Sequence, residues 1–412
     1  MPAWRRLGVA VMVVAGLGAC GGSNADVMRT SKTLAADDSA PRSAPPAGEA
    51  APASTTAPGA PMAASGQSQS AVGLTAGSTD DNERWDDYLS YRRSFAGLGL
   101  RVHDVDVAER HVFRVVDRSG HPVLGAAVTV RPAGGGEPVA RLTTYADGRA
   151  LFFPNATKGQ ATGYEAEVSA GGASQTVRFD RQATEHKVAL DTDAPPRTRL
   201  DVLFLVDATG SMQDEIDRLK DNMIAVSQRI AALPAKPDVR FALTAYRDQG
   251  DEFVTRTVDF TGDVKGFTDN IAGLRAAGGG DTPEALSAGL RAGLDAGWRG
   301  ADTVKLVFLV ADAPPQMDDP EGADYAAEVV RAAAMGVKVH PIASSGLDDQ
   351  GEYVFRQLAE ITTGRFVFLT YGPDGGPGDS TSMHVDKYAV LSLDSLVVKL
   401  VEEELAGSPS GQ

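Results

Sequence analysis

Five apolar runs, each the length of one strand, recur at residues 200–206, 239–246, 303–310, 337–342 and 365–370. A strand that is apolar along its whole length has to be covered on both faces, whereas a strand with one wet face alternates. Helical patterns separate or follow these runs at 267–276, 283–298, 323–335, 352–363 and 391–405, and Ile216, Leu219, Met223, Ile224 and Ile230 continue the first run at helical spacing. Strand and helix in turn predict an α/β fold, a doubly wound and mostly parallel sheet with helices on both faces. Residues 253–261 follow the second run too closely for a crossover helix, which predicts an antiparallel edge hairpin.

In such a sheet ligands gather at the carboxyl ends of the strands, near the reversal of strand order. The polar residues of interest fall there. Asp207-Ala208-Thr209-Gly210-Ser211 ends the first run, Gly278-Gly279-Gly280-Asp281-Thr282-Pro283-Glu284 opens a helix, and Ala311-Asp312-Ala313 ends the third run. Alone, Asp207 reads as a turn or helix-capping aspartate. Together these loops offer carboxylates and hydroxyls to a small hard cation, and hydroxyl ligands leave such a cation electrophilic towards a carboxylate from a partner. Asp248, in Tyr246-Arg247-Asp248 on the same rim, reads as a salt-bridged loop residue or as an outer partner of the metal ligands.

At these residues the sequence resembles the von Willebrand factor type A family, whose metal-ion-dependent adhesion site uses Asp-x-Ser/Thr-x-Ser, then Thr or Asp after a Gly-rich turn, then Asp after the following strand. The resemblance covers about residues 199–405. It implies a metal site of Asp207, Thr209, Ser211, Asp312 and either Asp281 or Thr282, filled by Mg²⁺ (or Mn²⁺ or Ca²⁺) and completed by a carboxylate of a protein ligand. The second element, Gly-Gly-Asp-Thr-Pro-Glu, aligns in two ways, so Asp281 and Thr282 both stand as candidates.

Composition narrows the function. With 39 Lys and Arg against 55 Asp and Glu, the net charge of −16 repels phosphate backbones, which argues against nucleic acid and suits a cation. The alternative is a metal-dependent hydrolase using Asp207 as nucleophile, as in haloacid-dehalogenase-type enzymes. Their Asp-x-Asp supplies the general acid; here the second position is Thr209. No Gly-rich loop ending in Lys-Ser/Thr supports nucleotide hydrolysis. A binding protein rather than an enzyme is expected.

The 412 residues leave room for more than one domain. Arg5 and Arg6 precede an apolar stretch at 7–19 that, at about 13 residues, reads as a secretory signal too short to span a bilayer. It ends Leu17-Gly18-Ala19-Cys20, which resembles a bacterial lipobox and implies lipidation of Cys20, the one cysteine of the chain, with an envelope location outside the cytoplasm. Residues 20–80 carry Cys20 and then an Ala-, Pro-, Ser- and Gly-rich stretch that reads as a linker. Residues 81–194 are expected to form a separate antiparallel β-sandwich, from short β-branched runs at 111–116, 126–130, 150–153 and 175–179. Val116-Asp117-Arg118-Ser119-Gly120-His121-Pro122 and Ala146-Asp147-Gly148 resemble the carboxypeptidase-regulatory-like sandwich family, which implies a spacer or binding surface. Trp85, Tyr88, Tyr91 and Phe95 predict a short helix with an aromatic face. His103, His111, His121 and His186 have no metal-ligand spacing and read as surface or turn positions, and His384 reads as a surface contact. Residues 195–407 hold the doubly wound domain.

Cys20→Ala is expected to yield an unlipidated chain. Mass spectrometry of the membrane fraction checks this, and an unmodified Cys20 on the wild-type mature chain would count against the anchor.

Overall fold

A computed structural model describes residues 73–407, except 158–160, 281, 320, 374–375 and 377. The signal, Cys20 and most of the linker lie outside the described residues. From the amino end come β1 (Thr75–Thr79) and α1 (Trp85–Ala96), then seven strands of two small sheets: β2 (His111–Val116), β3 (Ala127–Pro132), β4 (Ala140–Thr143), β5 (Arg149–Phe152), β6 (Gly163–Ala170), β7 (Ala173–Asp180) and β8 (Glu185–Ala189). The remainder is β9 (Arg199–Asp207), α2 (Gln213–Ala231), β10 (Asp238–Tyr246), β11 (Thr255–Thr261), α3 (Val264–Ala272), α4 (Leu286–Leu294), β12 (Val304–Ala311), α5 (Tyr325–Met335), β13 (Val337–Ala343), α6 (Asp349–Ile361), β14 (Phe366–Thr370), β15 (Leu391–Ser392) and α7 (Leu393–Ala406).

The large sheet is mixed, with strand order β11-β10-β9-β12-β13-β14-β1-β15. Its centre, β10 to β14, is parallel, and β11, β1 and β15 join antiparallel. The expected edge hairpin is therefore present. Alternate side chains of each apolar run serve opposite faces. Val202, Phe204 and Val206 pack with α2, α3 and α7, whereas Leu203 and Leu205 pack with α4, α5 and α6. After β9 the chain winds outward to β10 and β11, then returns to the other side of β9 to lay down β12, β13 and β14. The strand order thus reverses between β9 and β12, and the loops after these two strands diverge to leave a crevice.

The strand β1 was not expected, because it lies within the stretch read as linker. It slots between β14 and β15 through backbone pairing, with Thr75 opposite Thr370 and Thr79 opposite Phe366. Gly77 permits this approach, since a Cβ there would stand 2.6 Å from the Phe368 ring and 2.7 Å from that of Tyr388. The helix α1 lays its aromatic face on α6. Phe95 stacks on Tyr353 at 4.0 Å, and the Arg356 guanidinium lies 3.8 Å from the Tyr91 ring centre. Both α1 and β1 therefore pack on the α/β layers, across the expected boundary at residue 194.

Residues 111–189 form a three-stranded sheet, β5-β2-β8, and a four-stranded sheet, β4-β3-β6-β7. Their facing side chains interleave through Phe113, Phe152, Tyr164 and Phe179. One pair, β2 with β8, is parallel, unlike the antiparallel pairing expected throughout. Their apolar core continues without a break into the layer under α5 and α6, and Thr143 Oγ1 donates to the Ala334 carbonyl at 2.7 Å. His111 and His186, expected at surface or turn positions, are buried on β2 and β8, with Nδ1 of one 3.1 Å from Nε2 of the other. His384 holds a 2.9 Å contact with the buried Glu352.

Arg356 clamps the amino-terminal segment to α6. Its Nε and Nη2 donate to Asp81 at 2.9 and 2.8 Å, and Nη1 donates to Glu352 at 3.3 Å, all three residues being buried. Removing the cation would strand two carboxylates in a dry site. Arg356→Met is expected to cost about 3–5 kcal/mol, read from the urea midpoint at unchanged slope; a cost under about 1 kcal/mol would place the clamp among ordinary surface pairs.

Candidate functional site

Three loops meet in the crevice between β9 and β12, and backbone pairing holds them there. Gly210 N–H donates to the Gly278 carbonyl at 2.9 Å and Ala277 N–H to the Ala208 carbonyl at 3.0 Å, which joins the loop after β9 to the Gly-rich turn. Glu284 N–H donates to Pro314 O at 3.0 Å and Gln316 N–H donates to Glu284 O at 2.8 Å, which joins that turn to the loop after β12. Arg247, buried, braces the arrangement by donating to the Ala208 and Arg275 carbonyls at 3.1 and 3.0 Å.

This scaffold brings Asp207, Thr209, Ser211 and Asp312 into one hydrogen-bonded chain. Asp207 Oδ1 accepts from Thr209 N–H at 2.9 Å and from Thr209 Oγ1 at 2.7 Å. Thr209 Oγ1 and Ser211 Oγ lie 3.1 Å apart, and Ser211 Oγ donates to Asp312 Oδ1 at 3.1 Å. Asp207 and Thr209 are fully buried, Asp312 is half-buried, and Ser211 faces solvent. Thr282 is exposed and takes no part in this chain of hydrogen bonds; Asp281 lies outside the described residues. Asp248 stands one loop away. Its carboxylate accepts from Gln316, while its N–H donates at 3.1 Å to Asp251, which also receives the Gly279 N–H at 2.8 Å.

Asp207 Oδ2 is buried with no hydrogen-bond partner. The Tyr246 hydroxyl points towards it from the next strand, where the two residues are in register, but neither atom reaches bonding geometry. Gly289 on α4 makes room for that ring, since a Cβ there would meet it at 2.8 Å. Burial pushes the Asp207 carboxyl up to about 7, with Thr209 opposing the shift and Asp312 adding to it. Glu284, also buried and with Oε2 unpartnered, is pushed up to about 8 by burial first and then by Asp207, Asp248, Asp312 and Asp251. On the other flank Glu215 accepts from the Tyr371 hydroxyl at 2.8 Å and from Ser345, tying the loops after β13 and β14 to α2.

Sequence reasoning missed Tyr246, Glu284 and Glu215. Glu284 closes the Gly-rich motif and Tyr246 opens Tyr246-Arg247-Asp248, but nothing in either motif sets these two side chains beside Asp207. Among the described residues no three His, Cys, Asp or Glu side chains group into a metal cage. The set at Asp207 is of another kind, two carboxylates and two hydroxyls with one buried oxygen unmet. Its all-oxygen chemistry suits a hard divalent cation.

Fold and loops together define a doubly wound α/β unit with a polar cluster at its switch point. Residues 201–370 match the von Willebrand factor A domain family, which accounts for the core of that unit. Similar proteins include an ariadne-like RING finger protein of Acanthamoeba polyphaga mimivirus, 28% identical over 189 residues, and the alpha-protein kinase vwkA of Dictyostelium discoideum, 31% identical over 117 residues. These alignments take in 41% and 28% of this chain, and in both cases 18% of the relative's length. Among solved structures, the open conformation of the pilus adhesin SpaC from Lactobacillus rhamnosus GG overlaps 59% of this chain and 32% of its own at 14% identity and a TM-score of 0.35. Proximal thread matrix protein 1 of the mussel byssus overlaps 52% and 49% at 16% identity and a TM-score of 0.35.

Both raised carboxyls retain protons in the folded state that an unfolded chain has released between about pH 4 and pH 8. Their contribution to stability is therefore full on the acidic side of that window and is lost as pH rises through it. In chelator, the unfolding midpoint of the wild-type protein is expected to fall across this range more steeply than that of Asp207→Asn. Mg²⁺ at 100 times its dissociation constant is expected to raise stability by about 2.7 kcal/mol near pH 8. Superimposable melting curves with metal and with chelator would remove the cation from the site.

Proposed function

We propose that the von Willebrand factor A unit binds a protein ligand through a divalent cation, Mg²⁺ in the first instance, held by Asp207, Thr209, Ser211 and Asp312, with Thr282 or Asp281 as a further ligand. The observation that carries this reading is the buried, unpartnered Oδ2 of Asp207 at the foot of a ladder of hydroxyls that ends on Asp312. A bound cation would supply a Lewis-acidic position for a carboxylate of the partner. Asp207 fixes the floor of the site, Thr209 and Ser211 present neutral oxygens, and Asp312 closes it from the opposite strand. Glu284 and Asp248 hold the neighbouring loops behind the ligands. The partner class is a protein with an accessible acidic side chain.

The same proposal covers the rest of the chain. Residues 1–19 serve as the signal, Cys20 as the lipid-bearing anchor in the cell envelope, and the stretch after it as a linker. The two small sheets serve as a carboxypeptidase-regulatory-like spacer or binding surface.

Asp312→Ala is expected to abolish capture of an envelope partner while leaving circular dichroism unchanged, because Asp312 lies past the end of β12 and packs no core. Chelator is expected to act in the same way on the wild type. Equal capture by all three samples would move the binding surface elsewhere. Turnover of a phosphate ester, lost in Asp207→Asn, would instead favour the hydrolase reading.

A further inference from the structure

A cavity of 540 Å³, separate from the Asp207 cluster, opens where the edge strand β4 and the end of β5 meet α5 and α6. Leu142, Leu151 and Phe153 form one wall and Ala333 and Ile361 the other. Protein cores are ordinarily packed to the density of organic crystals, so an apolar opening of this size at a junction of layers is room for a ligand. Val330, also on the wall, is 49% exposed, one of four large apolar side chains left so open among the described residues. An occupant of the cavity would cover it.

The polar groups of the lining indicate what kind of occupant. Pro132 and Pro138 contribute no N–H to their part of the wall. Arg141 and Glu137 also line the cavity, both exposed. They carry opposite charges, yet neither side chain forms an ion pair or hydrogen bond with another described residue. Most Arg side chains of the two small sheets do engage a carboxylate, as Arg114, Arg131, Arg149 and Arg178 show. An apolar chamber whose wall carries a cation and an anion, neither paired with another described residue, complements a molecule with an apolar chain and a head bearing both charges.

We propose that this cavity binds a single-chain zwitterionic lipid, its acyl tail against Leu142, Leu151, Phe153 and Val330, its phosphate facing Arg141 and its ammonium facing Glu137. Binding is non-covalent and does not involve the Asp207 cluster. Tail burial supplies affinity, at about fourfold per added methylene until the chamber is full, and the two charges select the head.

Titration calorimetry of the purified chain tests this with lysophosphatidylethanolamines of increasing tail length, kept below micelle formation, and with fatty alcohols of matched length. Saturable binding that tightens about fourfold per methylene and then levels off is expected. Arg141→Glu should weaken the lysolipid about tenfold, as loss of one charge-assisted contact does, and leave the alcohol unchanged. Val330→Arg and, as a second variant, Ala140→Trp should weaken both ligands with circular dichroism unaltered. Absence of saturable binding at every tail length would overturn the proposal. So would binding that none of the three variants alters, or saturable binding of an extended apolar peptide in place of the lipid.

Discussion

The fold is organised around a carboxylate that its own chain does not fully satisfy. Asp207 ends the central strand β9 with both neighbours parallel to it, so its side chain is enclosed by β10 and β12 before any loop reaches it. A buried acidic oxygen without a donor is costly, and the protein answers on one side only, with two contacts from Thr209. The unmet oxygen and the raised titration of Asp207 and Glu284 have one origin. Burial excludes water from the crevice, and the carboxylates gathered there add to its effect.

A second concentration of buried charge, around Arg356, has the opposite character. There the cation is supplied by the chain, and Asp81 and Glu352 are held by it. The contrast separates a cluster that closes the structure from one that leaves it incomplete. It also explains why the amino-terminal segment is not an appendage of the small sheets. Its charged and aromatic groups find their complements on α6, and the core under that helix runs on into Phe152 and Phe153.

The parallel sheet was legible because full burial demands unbroken apolar runs, and five of these stand out between residues 200 and 370. The order of Asp207, Thr209, Ser211 and Asp312 was legible for a related reason, since strand ends in such a sheet must converge. Strand β1 was not, because Thr-Ala-Gly-Ser-Thr has no apolar pattern and joins the sheet through backbone bonds and the close approach at Gly77. Strands β4, β6 and β8 escaped as well; β4 and β8 are short, and β6 is made largely of Gly, Ala, Ser and Glu, with few β-branched or aromatic residues to mark it. Glu284 and Tyr246 owe their place to partners 30 or more residues away, Pro314 and Gln316 for one and Asp207 for the other, and local spacing carries no trace of that. The buried pair of His111 and His186 depends on a parallel pairing of strands some 70 residues apart, equally silent in a local reading.

The position of β1 has a mechanical consequence. Because Thr75 lies opposite Thr370, the chain enters the sheet at the carboxyl end of β14, the same rim that carries Asp207 and Asp312. A pull on the preceding chain, resisted by something gripped at that rim, would run along the rim, across the strands and not down their axes. The central parallel strands would bear little of it. The load would fall on β1, drawn sideways at its rim end, so that its ladder of five paired residues with β14 opens one pair after another from Thr75.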